Sequence, residues 1–237
     1  MAELNDAESS FFYRVLNVFL FLILLLGGLP RRLMFNYTDA LSVVCRDICA
    51  KTPIFQRYDL DYVGFACRRT RDADPVGVFA SLTPLRFEGG ALATCRRGAF
   101  WKAPDVFDGN GRKLLYILTV YIPRFLALPL NDKIQTLTHE LYHIAPDFNG
   151  DVRRFGGKNY AHGSSRKKYD AIVAKYADAW LKRDPDPRIW GFLQNDVDEL
   201  TRRFGKITYA RFPAIKLIKI EREEAVRLNP SLAGIKK

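Results

Sequence analysis

Apolar and polar residues follow two different periods along this chain, and the first of them is helical. Over residues 36–51, one helical face collects four apolar side chains, Leu41, Val44, Cys45 and Ile48. Asn36 or Thr38 can cap the start of this helix, and Thr52-Pro53 can end it. The pattern therefore predicts one helix at the N-terminal end of the folded region.

Residues 58–122 contain the short apolar runs and the turn residues that are typical of strands. We predict strands near residues 60–67, over residues 77–82 and 85–87, and over the long apolar run 114–122. Turns rich in Gly and Asp separate these runs, so we expect a small antiparallel sheet built as a meander.

The helical period returns in the C-terminal half of the chain. Asn131 can cap a helix over residues 131–144, a second helix is predicted over residues 165–183, and a third over residues 188–205 with Gly205 at its end. Because the helices follow the strands as a group, the pattern predicts an α+β fold. Its order is an N-terminal helix, a small antiparallel sheet and then C-terminal helices.

The N-terminal leader differs from the rest of the chain. Residues 15–30 carry no charge, acidic side chains precede them, and Arg31 and Arg32 follow. A membrane anchor through residues 11–30 fits this order and would leave the following domain on the cytoplasmic side. The alternatives are a signal peptide, a buried helix and a translation start at Met34.

Composition indicates a folded domain behind this leader. Of the 237 residues, 48% are hydrophobic and 27% charged, which excludes an intrinsically disordered chain. We divide the chain into a leader over residues 1–33, a domain over residues 34–220 and a basic tail over residues 221–237. Four scattered cysteines without a Cys-x-x-Cys pair predict buried free thiols, as expected for a cytoplasmic protein.

The formal net charge of +11 is distributed in short basic clusters, among them Arg68-Arg69, Arg96-Arg97 and Arg153-Arg154. Nucleic acid or anionic lipid is a candidate partner for such clusters. No zinc-finger, recognition-helix or RNA-binding signature accompanies them, so a solvated basic surface is the favoured interpretation.

The candidate chemistry lies in the sequence His139-Glu140-Leu141-Tyr142-His143, inside the predicted helix 131–144. Residues four apart lie about 40° apart around a helix and one turn apart along it, so both imidazoles can reach one metal ion. Summing the same angular steps places the two histidines about 160° from the apolar stripe of this helix. Glu140 would then face solvent bound to the metal.

A third protein ligand is expected because a catalytic zinc site uses three ligands and keeps one position open. The chain has only three histidines, which makes His162 the favoured candidate. Asp147 and Asp151 are the alternatives. Zinc suits this nitrogen-rich set best, with iron and manganese as alternatives.

The metal segment and its surroundings resemble the phage-type metallopeptidases. The similarity is carried by residues 138–144 (THELYHI), 146–151 (PDFNGD), 153–156 (RRFG) and 161–162 (AH), and by the upstream segments 80–87 (ASLTPLRF) and 122–125 (IPRF). It extends over about residues 36–215 and does not include the leader. The resemblance implies a zincin-like fold, one Zn²⁺ ion held by His139, His143 and His162, and Glu140 as general base. Zincin-like architecture also suggests that residues 114–122 form an antiparallel edge strand, which could bind an extended peptide by strand addition.

The function that follows from these expectations is a zinc-dependent hydrolase, in particular a peptidase acting on peptide or protein substrates. Four further side chains are close enough in sequence to stabilise an oxyanion, although packing is the commoner role for each: Tyr142, Tyr160, Arg153 and Arg154. The alternative function is a non-catalytic, metal-stabilised binding module associated with nucleic acid or phage. Glu140 favours the enzyme, because a purely structural site does not need it.

Overall fold

A computed structural model of the protein describes residues 34–70, 77–156, 160–163 and 165–235. Helices and small sheets combine in these residues, so the predicted α+β class is confirmed. Within the described residues, no helix is both long and apolar enough to span a bilayer. The anchor predicted over residues 11–30 lies outside them.

The predicted N-terminal helix is present as α1, Tyr37–Lys51. The Asn36 side chain caps it by accepting hydrogen bonds from the backbone N–H groups of Thr38 and Asp39. The four apolar side chains predicted to share a face are fully buried. All four cysteines are free, and three of them, Cys45, Cys49 and Cys67, are buried as predicted.

The central sheet consists of β2 (Val63–Arg69), β3 (Ala80–Pro84) and β6 (Tyr116–Ile122). The strand order is β2-β6-β3, with β2 parallel and β3 antiparallel to β6. The predicted antiparallel meander is therefore wrong. The predicted edge strand over residues 114–122 is also wrong, because β6 lies in the centre and β3 at the edge. A continuous apolar run is typical of a strand buried on both faces, and this explains the position of β6.

A second, smaller sheet has the order β4-β5-β8 and consists of β4 (Ala93–Arg96), β5 (Ala99–Lys102) and β8 (Ile218–Ile220). Helix α6 (Arg222–Leu228) and the 3-10 turn Pro230–Gly234 pack against it around a small apolar cluster. Much of the segment separated above as a basic tail is thus folded onto this sheet. A short parallel pair, β1 (Met34–Asn36) with β7 (Lys206–Thr208), joins the two ends of the main core.

The helices of the C-terminal half are α2 (Leu130–Tyr142), α3 (Arg166–Leu181), α4 (Pro187–Trp190) and α5 (Val197–Phe204). Helix α2 begins one residue before the predicted cap Asn131, with Pro129 at the cap position.

The single helix predicted over residues 188–205 is also wrong. The 3-10 turn Gly191–Gln194 follows α4, and Asp196 starts a new helix by accepting a hydrogen bond from Glu199 N–H. Gly205, with φ of 76°, ends α5 as predicted.

Helix α2 is held between α3 and the edge strand β3. At the buried side of α2, the Lys133 ammonium group donates a hydrogen bond of 2.6 Å to the Leu193 carbonyl oxygen. This contact anchors α2 to the 3-10 turn Gly191–Gln194. The position of α2 is therefore determined on three sides, which matters because this helix carries the candidate metal ligands.

Candidate metal centre

Helix α2 has one apolar face and one histidine face. Ile134, Leu137 and Leu141 on the apolar face are fully buried in the main core, and so is Ile144 just after the helix. The two histidines are half-buried on the other side, as the angular argument predicted. His143 follows the last helical residue but keeps helical backbone angles, and its N–H bonds to the His139 carbonyl. The i, i+4 geometry therefore extends to both imidazoles.

The loop after α2 is folded back by contacts that cross it. Ile144 and Val152 form an isolated antiparallel bridge, and the Tyr116 hydroxyl donates to the Asp151 carbonyl at 2.8 Å while it accepts from Gly150 N–H at 2.9 Å. Beyond this turn, His162 lies in a tight turn that precedes α3. The fold of the loop therefore brings His162 back to the histidines of α2.

The three histidines converge through their Nε2 atoms. Nε2 of His139 lies 3.0 Å from Nε2 of His143 and 3.3 Å from Nε2 of His162. Three nitrogens about 2.05 Å from a tetrahedral zinc ion are about 3.3 Å apart, so the spacing fits the three-nitrogen side of such a site. Within the described residues, these three side chains are the one group of at least three His, Cys, Asp or Glu whose ligand atoms lie within 4.8 Å of one another.

Neither alternative third ligand takes part in this cluster. Asp147 is exposed. The Asp151 carboxylate is 4% exposed as a residue and is occupied by Arg154, which donates two hydrogen bonds of 2.8 and 3.0 Å, and by Gly89 N–H. Asp151 therefore holds the loop together and leaves the candidate metal position to the histidines.

Burial keeps the imidazoles neutral. Burial, together with a smaller contribution from the neighbouring histidines, lowers the pKa of His143 to about 3 and that of His139 to about 4. The pKa of His162 is lowered as well, again mainly by burial. A metal binds the neutral imidazole, so at neutral pH the cluster needs to release no proton before it binds an ion.

Glu140 lies between the histidine face of α2 and the edge strand. The residue is 7% exposed, and burial raises the pKa of its carboxyl group to about 7. A hydrogen bond from the backbone of Leu82, in β3, opposes this rise. A carboxyl group that titrates near pH 7 can both accept and return a proton under physiological conditions.

The histidines and Glu140 line an open cleft of about 970 Å³. Strand β3 forms one wall of this cleft, and within the described part of the chain its only sheet partner is β6, on the opposite side. The free edge of β3 therefore borders the candidate metal position. This is the role that zincin-like architecture suggested for residues 114–122.

The four candidate oxyanion-binding side chains divide into two pairs. Tyr160 and Arg154 line the cleft, with the guanidinium carbon of Arg154 4.7 Å from the centre of the Tyr160 ring. Tyr142 and Arg153 do not line it. Arg153 covers the Tyr142 ring at 4.3 Å and donates a 2.9 Å hydrogen bond to the Tyr58 hydroxyl. Tyr142 and Arg153 therefore pack against other side chains and do not face the cleft in which an oxyanion would form.

Two polar side chains next to the site were missed by the sequence argument. Tyr169 and Asp170, in the first turns of α3, approach the Nδ1 atoms of His143 and His139 respectively. The one signal in the sequence is that both follow His162 within eight residues at the start of a predicted helix. Their approach to α2 depends on the packing of α3 and could not be read from spacing.

No protein-family model, no curated protein and no solved structure matches this chain.

Proposed function

We propose that this protein is a zinc-dependent hydrolase of zincin-like architecture, and in particular a peptidase. The observation that carries the proposal is the convergence of the three histidine Nε2 atoms beside a buried glutamate in an open cleft. The resemblance of residues 138–162 to the phage-type metallopeptidases supports the same conclusion. Zinc is preferred because three neutral imidazoles with an open fourth position suit a catalytic zinc ion.

Each part of the site has a role in hydrolysis. A zinc ion supplies a Lewis acid and lowers the pKa of water to about 7 when it is bound by such a set of ligands. His139, His143 and His162 would hold the ion. Glu140 would accept a proton from the attacking water and return it to the leaving nitrogen, a role that suits a carboxyl group with a pKa of about 7.

A polypeptide suits the cleft because of the free edge of β3. An extended chain can pair with an exposed strand through main-chain hydrogen bonds, whatever its side chains are. The Leu82 backbone, which contacts Glu140, belongs to this strand. A peptide bound along β3 would therefore pass the general base.

Metal analysis and one substitution test this proposal. The purified protein should bind one zinc ion per chain and cleave a denatured protein substrate. Glu140→Gln should keep the zinc and reduce cleavage by at least about 100-fold, because general-base catalysis contributes about 10²–10⁴-fold. Glu88→Gln is the matched control, since Glu88 also lines the cleft but lies on an exposed turn, and it should keep most of the activity.

The outcomes separate the two functions considered. Zinc bound without cleavage of any peptide or protein by the wild type would favour the metal-stabilised binding module. A wild type that neither binds nor responds to zinc would contradict the metal site itself. Contact with nucleic acid stays a prediction, and steep loss of DNA binding with rising salt would support it.

A further inference from the structure

Helix α3 carries two adjacent polar side chains, Tyr169 and Asp170, that face the histidines of α2. The Ser165 hydroxyl caps α3 by accepting a hydrogen bond from Lys168 N–H, so this cap determines where the helix begins. Tyr169 and Asp170 follow within the first two turns. They belong to the segment that also carries His162 in the turn before the helix.

Tyr169 packs against all three histidines of the cluster. It is 2% exposed, and its ring centre is 4.8 to 5.3 Å from the ring centres of all three histidines. Its hydroxyl oxygen lies 3.2 Å from Nδ1 of His143. A buried tyrosine hydroxyl needs a hydrogen-bond partner, and here that partner is the ring nitrogen that faces away from the other histidines.

Asp170 lies beside the other histidine of α2, at a distance longer than that of a hydrogen bond. Its Oδ1 atom lies 3.7 Å from Nδ1 of His139, and its Oδ2 atom lies 3.8 Å from Nε of Arg166 one turn earlier. The Asp170 side chain is 52% exposed, whereas that of His139 is 20% exposed. The carboxylate therefore approaches the imidazole from the solvent side.

We propose that Tyr169 and Asp170 are positioning residues of the metal site, Tyr169 through a hydrogen bond with Nδ1–H of His143 and Asp170 through its negative charge beside Nδ1 of His139. The inference rests on the proposed metal site. A neutral imidazole carries its proton on one nitrogen, and the partner of that nitrogen determines which lone pair is free. With Nδ1–H of His143 donating to the Tyr169 hydroxyl, and the Asp170 charge favouring the proton on Nδ1 of His139, Nε2 of each histidine has its lone pair directed at the shared position.

This arrangement has a consequence for how the site is assembled. His162, Tyr169 and Asp170 come from one continuous stretch of chain, and His139 and His143 come from α2. A bound ion would therefore connect the α2 and α3 segments through its ligands, and the Tyr169 hydrogen bond and the Asp170 contact connect the same two segments around it. Losing either outer contact should weaken zinc affinity while every direct ligand stays in place.

The test compares zinc affinity of the full chain after removal of metal by a chelator. Tyr169→Phe removes one hydroxyl and keeps the ring, and Asp170→Asn removes one charge. Each should weaken zinc binding by about 10–100-fold, as is typical for loss of an outer partner of a metal-bound histidine. Competition with a chromophoric chelator measures this without any substrate, and Co²⁺ absorption bands should shift in both variants because the histidine geometry changes.

Matched controls are available in the same helix. Tyr176→Phe removes the hydroxyl of a half-buried tyrosine that packs on Phe55 and Tyr142, and Asp178→Asn neutralises an exposed carboxylate two turns further on. Both should keep wild-type zinc affinity and wild-type Co²⁺ bands. The metal-free melting temperature of Tyr169→Phe, measured beside them, separates a weakened site from a damaged fold.

If Tyr169→Phe and Asp170→Asn kept the zinc affinity and the Co²⁺ bands of the wild type, this inference would be wrong. The proposed zinc site itself would not be contradicted by that result. A wild-type chain that binds no zinc would overturn both. Zinc binding that depends on Tyr169 and Asp170 in a protein that cleaves no peptide would support the inference and contradict the proposed peptidase, so the two failures are distinguishable.

Discussion

The candidate site is built from two regions that are held in different ways. Helix α2 places His139 and His143 by its own backbone geometry, and its apolar face is fully buried in the main core. The described residues of the following loop, 144–156 and 160–163, place His162 by scattered polar contacts, among them the Arg154 to Asp151 pair and the two hydrogen bonds of Tyr116. Two candidate ligands are therefore local to one helix, whereas the position of the third depends on contacts between residues distant in sequence.

The largest effect should follow from removing a ligand from either region. His139→Ala and His162→Ala should each lower zinc affinity by more than the roughly 10–100-fold that loss of an outer partner costs, because a direct bond is lost. Zinc titration against a competing chelator measures this. If His162→Ala bound zinc like the wild type, the loop would not contribute to the site, and the comparison between the two regions would fail.

A pH experiment on metal-free protein tests the cost of burying Glu140 on α2. The pKa of Glu140 in the folded protein is about 7, above the ordinary value of 4.5. Between these two pH values the native state therefore binds more protons than the unfolded state, and the protein loses stability as pH rises from 4.5 to about 7. Glu140→Gln should remove this loss. Relative to the wild type, its free energy of unfolding should be higher by up to about 3 kcal/mol above pH 7 and almost unchanged below pH 4.5. Urea unfolding across this range measures the difference.

His139 and His143 should change the stability of the protein with pH in the direction opposite to that of Glu140. Their folded pKa values of about 3 and 4 lie below the ordinary 6.5, so their contribution is present above pH 6.5 and is lost as pH falls toward 3. The wild type and Glu140→Gln both contain these histidines, so their contribution should cancel in the difference between the two proteins. If the difference in free energy of unfolding did not change with pH, burial of the Glu140 carboxyl group would not be its cause.

A third prediction concerns the polar contacts of the loop. Asp151→Asn should destabilise the protein by about 2 kcal/mol. The buried carboxylate accepts two hydrogen bonds from Arg154, and the substitution removes its negative charge beside that guanidinium group. Zinc affinity should fall with it, since the loop carries His162. Asp147→Asn, an exposed neighbour on the same loop, should change neither quantity. Equal effects of the two variants would mean that Asp151 does not hold the loop.

The smallest effect is expected at a loop glycine. Gly150 has φ of 90°, and a Cβ atom there would lie 2.3 Å from Cγ of Arg86. Gly150→Ala should therefore cost about 1–2 kcal/mol of stability from the left-handed backbone, and more if Arg86 cannot move. Gly156→Ala is the control, because a Cβ there meets nothing within 4 Å. Thermal unfolding of both variants would show whether the turn is as constrained as its contacts indicate.

The arginine pair Arg153-Arg154 shows how a sequence feature can mislead. In the sequence it is one of several basic clusters that could contact nucleic acid or lipid. In the structure, Arg153 covers the Tyr142 ring and Arg154 is bound to Asp151. Both guanidinium groups are engaged by other side chains of the protein, and the positive charge of Arg154 supports the loop. The remaining basic clusters still allow an anionic partner, which stays a prediction.

Strand order was the part of the fold that the sequence predicted least well. The apolar run that became β6 was recognised as a strand, but its neighbours were not. Strand β6 lies between β2 and β3 although both precede it in the chain, so the strand order depends on pairing between residues distant in sequence. The error mattered for function, because it exchanged the central strand for the edge strand that borders the cleft.

The sequence by itself determined the histidine pair of α2, its position opposite the buried stripe and the neighbouring Glu140, because helical periodicity is a local property of the chain. It also favoured His162 as the third candidate ligand, because the chain has only three histidines, and left Asp147 and Asp151 as alternatives. Only the tertiary structure decided that His162 reaches the pair, that β3 lies beside Glu140 and that Tyr169 and Asp170 approach the histidine Nδ1 atoms. These relations join residues distant along the chain, and their geometry follows from packing, which no local pattern specifies.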